Sequence, residues 1–155
     1  FMFAGCNNIS YIDFISFNTK NVNNMKYMFY KCKKLTKVNL FSFNTELVED
    51  MSNMFSFCYH LNCQDLSFFN TEKVKNMENM FTNCRNLEDL DLSAFDTRNV
   101  KNMNNMFSFC SEFKYLNICN FNTANTINIG NALFNLFNYG FFQSRIKIKT
   151  HQIKI

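Results

Sequence analysis

The sequence has no proline and no tryptophan, and none of its three glycines lies within residues 17–120. Glycine and proline make most tight turns, so a change of chain direction in this region has to use asparagine or aspartate, which also tolerate unusual backbone angles. Long hydrophobic runs are missing too, because no apolar stretch approaches the ~18 residues of a membrane span. The sequence therefore predicts corners built without glycine and no membrane insertion in this segment.

A net charge of one sign is missing from most of the chain. Residues 1–143 contain twelve basic and twelve acidic side chains, and the surplus of +4 lies in the last eleven residues. This balance gives no electrostatic reason for the repeats to bind nucleic acid or an anionic membrane. The two histidines, His60 and His151, have no recognisable nucleophile or orienting partner. We expect no enzyme activity, no cofactor and no metal.

The chain does contain a strict repeat of 26 residues without insertion or deletion. Residues 69–92 read F-N-T-x-x-V-x-x-M-x-x-M-F-x-x-C-x-x-L-x-x-L-x-L. We call one repeat a coil, and equivalent positions 26 residues apart a column. One column holds five of the seven cysteines: Cys6, Cys32, Cys58, Cys84 and Cys110. A constant period in this range is typical of a solenoid.

Each coil contains a spacing that predicts a short helix. Met25, Met28, Phe29 and Cys32 stand at i, i+3, i+4 and i+7, which places them on one face of a helix. A short polar residue, Asn24 in this coil, precedes them and is suited to cap the first free N–H groups. We therefore predict a two-turn helix with one buried stripe, held by packing against neighbouring coils.

The L-x-x-L-x-L segment that follows predicts a short strand. Leu90 and Leu92 alternate with the polar Asp91, which is the period of a half-buried strand. Stacked coils would pair such strands into a parallel sheet. Gln64 interrupts the apolar column, and the pattern offers no reason for it.

The F-N-T segment is the predicted corner. Asn or Asp at its second position is suited to a left-handed conformation, and the threonine is suited to bond to an adjacent backbone. The threonine is unchanged in every repeat: Thr19, Thr45, Thr71, Thr97 and Thr123. We interpret this segment as structural, because a ligand-binding role has no support.

M-F-x-x-C-x-x-L-x-x-L-x-L followed by S-x-F-N-T-x-x-V-x-x-M resembles the 26-residue repeat of bacterial surface proteins, a domain family of unknown function of the BspA-like leucine-rich-repeat type. The resemblance runs from Met2 to about Ile129. It implies an α/β repeat solenoid, a right-handed coil with one short parallel strand and one short helix per repeat. It also implies a secreted or surface-anchored protein that serves in adhesion, and it brings no catalytic motif.

The pattern also divides the chain. Residues 1–16 are part of one repeat, residues 17–120 are four complete repeats, and residues 121–155 are a degenerate repeat with a basic tail. Because the chain opens in mid-repeat, we expect it to be part of a longer protein. Residues 121–155 are suited to cap the last coil, and sequence drift is the alternative.

The cysteines invite a metal or disulfide interpretation. There is no C-x-x-C pair, so a zinc site has little support. Neighbouring cysteines of the column would fit the distance range of a disulfide, but five of them cannot all pair. We expect the column thiols to pack as small hydrophobic groups, and Cys63 and Cys119, which lie outside it, to be the more reactive ones.

Partner binding is expected at positions that vary between coils. The candidates on the predicted strand face are Lys37, Asn39, Asp65, Glu88, Asp89, Asp91, Tyr115 and Asn117. The acidic residues among them fit a solvated surface better than a calcium site. The candidates on the predicted helix face are aromatic: Tyr30, Phe57, Tyr59 and Phe109. Exposed aromatic side chains often contact a partner, although an idle surface is the alternative.

These observations favour a non-catalytic segment of a cell-surface or secreted protein that mediates adhesion by binding a protein or a glycan. Extended repeat surfaces suit such large partners better than one small metabolite. An intracellular protein-interaction scaffold and a pure structural spacer are the alternatives.

Overall fold

The computed structural model describes residues 1–132, whose backbone follows the 26-residue period. It contains four short strands: β1 (Tyr11–Asp13), β2 (Lys37–Asn39), β3 (Asp89–Asp91) and β4 (Tyr115–Asn117). Strand β1 pairs with β2, and β3 with β4, both in parallel with partners 26 residues apart. A second row of parallel bridges joins Asn24, Asp50, Asn76, Asn102 and Asn128. The coils are therefore stacked in register, and the predicted short parallel strands are confirmed.

The sheet is interrupted between β2 and β3, at Gln64. This side chain is only 5% exposed. Its Oε1 accepts a hydrogen bond from the N–H of Val38 at 3.1 Å, and its Nε2 donates to the carbonyl of Val38 at 2.8 Å. The carboxamide thus supplies the two hydrogen bonds that a neighbouring parallel strand would supply, which explains an amide in an apolar column.

The predicted helix is wrong. Residues 1–132 contain no helix, and the M-x-x-M-F-x-x-C segment is a run of turns. Alternate N–H groups donate to carbonyls of the next coil at 2.8–2.9 Å, as seen at Met51, Asn53, Phe55 and Phe57. Between them, the N–H groups of Met54 and Ser56 donate to the carbonyl three residues back, and that of Ser52 donates to the side chain of Asp50. A helix would need these same N–H groups for its own carbonyls, so the two arrangements exclude each other.

Two columns in this segment have a left-handed backbone. All eight non-glycine residues with positive φ in the described part of the chain fall in them, at φ of 55–63°: Tyr27, Asn53, Asn79 and Asn105, and Lys31, Phe57, Asn83 and Phe109. Gly5 belongs to the second column and has φ of 76°. The asparagines of F-N-T are absent from this set, so our expectation of a left-handed conformation there is wrong.

The corners are made by side chains of asparagine and aspartate. In each coil between residues 17 and 120, three of them accept a hydrogen bond from the N–H two residues later, at 2.8–3.2 Å. In one coil these are Asn44, Asp50 and Asp65, and the other coils repeat the arrangement. Such Asx turns need neither glycine nor proline, and they explain the abundance of asparagine.

The F-N-T threonine ties neighbouring coils together, as predicted. Thr71 is 1% exposed. Its Oγ1 donates to the carbonyl of Asp96 at 3.0 Å and accepts from the N–H of the same residue at 2.8 Å. Thr19, Thr45 and Thr97 make the same pair of bonds to the residue 25 positions later. Each hydroxyl therefore satisfies both polar groups of one peptide position in the next coil.

The interior of the stack is a set of aligned apolar columns. Phe29, Phe55, Phe81 and Phe107 are at most 1% exposed and stack with centroids 5.4–5.8 Å apart. The methionine, valine and leucine columns are buried around them. The core predicted from the periodicity is therefore confirmed, although no helix carries it.

The cysteine column packs in this core and also bonds between coils. The thiols of Cys58 and Cys84 donate to the carbonyls of Phe29 and Phe55 at 3.1 Å. All seven cysteines are free, and Cys63 and Cys119 are half-buried. Burial raises the pKa of Cys32 to about 11 and that of Cys110 to about 12. The buried thiols of the column, from Cys32 to Cys110, are therefore held in their protonated, hydrogen-bonding form.

The repeat from residue 121 onward is described only as far as Ala132. Within that part, Asn128 forms a bridge with Asn102, and its carbonyl accepts from the N–H of Met103 at 2.8 Å. Gly130 makes room for the side chain of Asn104, because a Cβ at position 130 would stand 1.8 Å from Oδ1 of Asn104. The predicted basic tail and most of the predicted cap, residues 133–155, lie outside the described residues.

The left-handed columns can be tested with two exposed phenylalanines. Phe109 has φ of 62°, whereas Phe41 lies outside the positive-φ set. We expect Phe109→Gly to leave stability unchanged or raise it by up to about 1 kcal/mol, because glycine relieves the left-handed strain. Phe41→Gly should lower it by about 1 kcal/mol, because there glycine only adds freedom to the unfolded chain. Urea unfolding of both variants would show this, and equal destabilisation would contradict it.

The buried thiols predict a loss of stability at high pH. Their pKa is raised in the folded state, so the stabilisation they give is complete below pH 9 and is lost as the pH rises toward 11–12. Each thiol that ionises only on unfolding steepens the fall by about 1.4 kcal/mol per pH unit. We expect Cys110→Ala to show a shallower fall in urea unfolding between pH 9 and 11. Val74→Ala, a buried control without a titrating group, should keep the slope of the parent chain, and identical slopes for all three proteins would refute the idea.

Candidate functional site

The residues predicted for the strand face lie along the strand columns, and we call them the strand surface. Lys37 and Asn39 belong to β2, Asp89 and Asp91 to β3, and Tyr115 and Asn117 to β4. Asp65 and Glu88 complete the set and lie outside the strands. All are exposed or half-buried. The structure therefore places this predicted set in or beside the strand segments of successive coils.

Side chains of the strand surface bond largely to one another. Asp91 accepts from the hydroxyl of Tyr115 at 3.2 Å and from Nδ2 of Asn117 at 3.1 Å. Partial burial opposes ionisation of Asp91, but the hydrogen bonds outweigh it and lower its pKa. Glu88 pairs with Lys114. Much of the bonding capacity of this surface is thus already used within the chain.

The acidic residues of the strand surface do not assemble into a cation site. Within residues 1–132 no three side chains of histidine, cysteine, aspartate or glutamate come together as metal ligands. The pKa of Asp65 is lowered chiefly by the hydrogen bond from the N–H of Ser67, which is part of its corner. The carboxylates therefore serve the turns and the pairing of neighbouring coils.

Three of the four aromatics predicted for the helix face come together on the turn segments. Tyr30 and Phe57 meet edge to face with centroids 5.7 Å apart, and Phe57 meets Tyr59 in the same way at 6.1 Å. Tyr27 extends the row, with its centroid 5.0 Å from that of Tyr30. All four rings are half-buried. Each ring thus rests on the stack and keeps part of its surface open to a partner.

Cations lie against three of these rings. The Nζ atoms of Lys26 and Lys31 stand 5.3 and 5.0 Å from the centroids of Tyr27 and Tyr30. The guanidinium carbon of Arg85 stands 5.0 Å from the centroid of Tyr59. We call this group the turn surface, made of Tyr27, Tyr30, Phe57 and Tyr59 with Lys26, Lys31 and Arg85. Such contacts fix the position of each charge without neutralising it.

Phe109 does not join this group. It is 53% exposed at a left-handed position and lies two coils beyond Phe57 in the same column. Sequence reasoning missed Tyr27 and the stacked cations. The sequence did contain a signal of these cations, because Lys31 stands in the column of Phe57 and Arg85 in the column of Tyr59.

A second exposed apolar group lies at the corner after the strands. Ile15 and Phe41 occupy one column and are 77% and 80% exposed. Phe68 meets Phe41 with centroids 5.9 Å apart. Other coils carry Ser67 and Ser93 in the column of Phe41, a contrast that could have pointed to this group in the sequence.

His60 and two buried serines are further polar groups of the described residues. His60 is exposed, as expected from its column. The two buried serines without a hydrogen-bond partner, Ser52 and Ser56, have no histidine in their columns. No helix in this part of the chain has the length and apolar character needed to cross a membrane. The geometry supports contact by stacking and charge.

Comparisons with known proteins found two similar solved structures and one matching family. A leucine-rich cell surface protein from Faecalibacterium prausnitzii A2-165 is 16% identical with a TM-score of 0.43, over 71% of this chain and 36% of that one. A leucine-rich repeat protein from Bacteroides ovatus ATCC 8483 is 22% identical with a TM-score of 0.38, over 72% of this chain and 32% of that one. The chain thus spans about a third of the length of either protein, and no curated protein matches it.

One family covers nearly the whole sequence. It matches residues 1–114 and again residues 58–152, and the overlap of the two matches is expected for a repeating chain. The chain belongs to the family described as Mycoplasma protein of unknown function, DUF285.

Proposed function

We propose that this chain is a non-catalytic binding segment of a cell-surface or secreted protein, and that it mediates adhesion by contacting a protein or a glycan. The localisation rests on the resemblance to BspA-like surface repeats. The binding role rests on the turn surface, where aromatic rings and cations are held together and left partly open.

The division of labour within each coil supports a binding role. Columns that repeat without change, such as those of Thr71 and Cys84, bond one coil to the next. Columns that vary, such as that of Tyr59, lie at the surface. A pure spacer would need only the first kind, whereas aromatic and arginine side chains clustered at a surface are typical of the centre of an interface.

The turn surface is better suited to a partner than the strand surface is. On the strand surface, Asp91 and Glu88 already bond to neighbouring side chains. On the turn surface, Lys31 and Arg85 make no ion pair with any carboxylate in residues 1–132. An incoming ligand would therefore displace water from the turn surface, and would have to compete with existing bonds on the strand surface.

One observation favours the second candidate, an intracellular protein-interaction scaffold. All seven cysteines are free, which is the usual state in a reducing compartment. The two proposals differ in what precedes this segment in the full-length protein. A secretion signal there would support the surface protein, and a plain start without one would support the scaffold.

Binding can be tested with the 155-residue chain on a panel of matrix proteins and glycans. We expect at least one partner above background, and at least about tenfold weaker binding for the variant Tyr30→Ala with Tyr59→Ala, since interface aromatics carry much of the binding energy. The matched strand-surface variant, Lys37→Ala with Asp89→Ala, should bind as the parent chain does. No binding on the whole panel would contradict the adhesion role, and loss confined to the strand-surface variant would move the site there.

A further inference from the structure

We propose that the turn surface recognises an anionic glycan, one that carries sulfate or carboxylate groups. This inference rests on the proposed binding function and names the chemical class of the partner. Within residues 1–132 twelve basic and twelve acidic side chains cancel in number, but they are separated on the folded chain.

The neutrality of the repeats hides a separation of charge between two surfaces. Residues 26–34 contain four lysines and no acid: Lys26, Lys31, Lys33 and Lys34. The strand surface contains four acidic residues and one lysine among its eight members. A partner near the turn surface therefore meets local positive charge, although these lysines and the acidic residues of the strand surface nearly balance in the net charge.

The cations of the turn surface are unpaired and held in place. The three ion pairs within residues 1–132 join Lys75 to Glu49, Arg98 to Asp96 and Lys114 to Glu88, and none involves the turn surface. Arg85 instead lies on the ring of Tyr59, with one weak hydrogen bond to Asn83 at 3.4 Å. A guanidinium resting on a ring keeps donors free for a planar carboxylate or a sulfate, and the restraint lowers the entropy lost on binding.

The rings favour a sugar over a nucleic-acid strand. Successive bases stack on aromatic faces that are open along a basic groove. Here the rings of Tyr30, Phe57 and Tyr59 meet nearly at right angles, at 85° between Tyr30 and Phe57 and 83° between Phe57 and Tyr59, and Phe1 stacks on the ring of Tyr27. A cation also lies over the ring of Tyr27, Tyr30 and Tyr59. Edges and partly covered faces can pack against the C–H groups of a sugar ring, while the cations meet its acidic substituents.

The test compares three probes of the same length against the 155-residue chain: a heparin octasaccharide, neutral maltooctaose and octathymidylate. We expect the heparin octasaccharide to bind tightest, and its binding to weaken as salt is raised. Lys31→Gln with Arg85→Gln should weaken it about tenfold, because two fixed charges are lost. Lys20→Gln with Lys73→Gln removes the same net charge from exposed positions elsewhere and should change it less than about twofold.

A second pair of variants separates stacking from charge. Tyr30→Ala with Tyr59→Ala keeps the net charge and should also weaken binding of the heparin octasaccharide about tenfold. Phe41→Ala, an exposed aromatic outside the turn surface, should leave it unchanged. Equal losses for the two charge variants would reduce the effect to net charge and overturn the proposal. Tighter binding of octathymidylate would replace it with a nucleic-acid surface.

The remaining outcomes separate this proposal from the function on which it rests. If maltooctaose binds as tightly as the heparin octasaccharide, the chain binds glycans but the anionic preference is wrong. If a matrix protein binds and no glycan does, adhesion stands and the glycan inference fails. If neither a protein nor a glycan binds, both fail together. Thermal unfolding of each variant and of the parent chain shows whether a variant that loses binding is still folded.

Discussion

The fold depends on hydrogen bonds between equivalent backbone positions of neighbouring coils. The strands are three residues long, and the described residues contain no helix, so a single coil cannot satisfy its own N–H and carbonyl groups. Alternate N–H groups of the turn segment and the peptide opposite each F-N-T threonine find their partners in the next coil. A coil is therefore stable only beside another coil, which is the general behaviour of stacked repeats.

This constraint explains which residues repeat. The threonine carries two bonds to one peptide, the asparagines make corners where glycine and proline are missing, and the thiol of Cys84 reaches a carbonyl of the preceding coil. Other columns vary in sequence and carry partly exposed side chains in some coils. Tyr30, Phe57 and Tyr59 are of this kind, and they meet because the stacking brings neighbouring columns and coils together.

The periodicity of the sequence was enough to predict the strands, the buried columns and the role of the threonine. It was not enough for the helix, because the spacing of Met25, Met28, Phe29 and Cys32 reports which side chains are buried and not where the N–H groups point. The asparagines Asn53, Asn79 and Asn105 were a signal of the left-handed positions. The turn surface was hidden for two further reasons: net charge averages over separated groups, and a cation–ring contact depends on side-chain positions that spacing does not fix.

The most direct test of the account is a comparison of Thr71→Val with Thr71→Ser by urea unfolding. Valine matches the shape of threonine but leaves the N–H and carbonyl of Asp96 without their partner, so stability should fall by about 2 kcal/mol or more. Serine keeps the hydroxyl and loses one methyl group, so it should cost about 1 kcal/mol. A valine variant as stable as the parent chain, or more stable than the serine variant, would contradict the claim that bonds between coils hold this fold together.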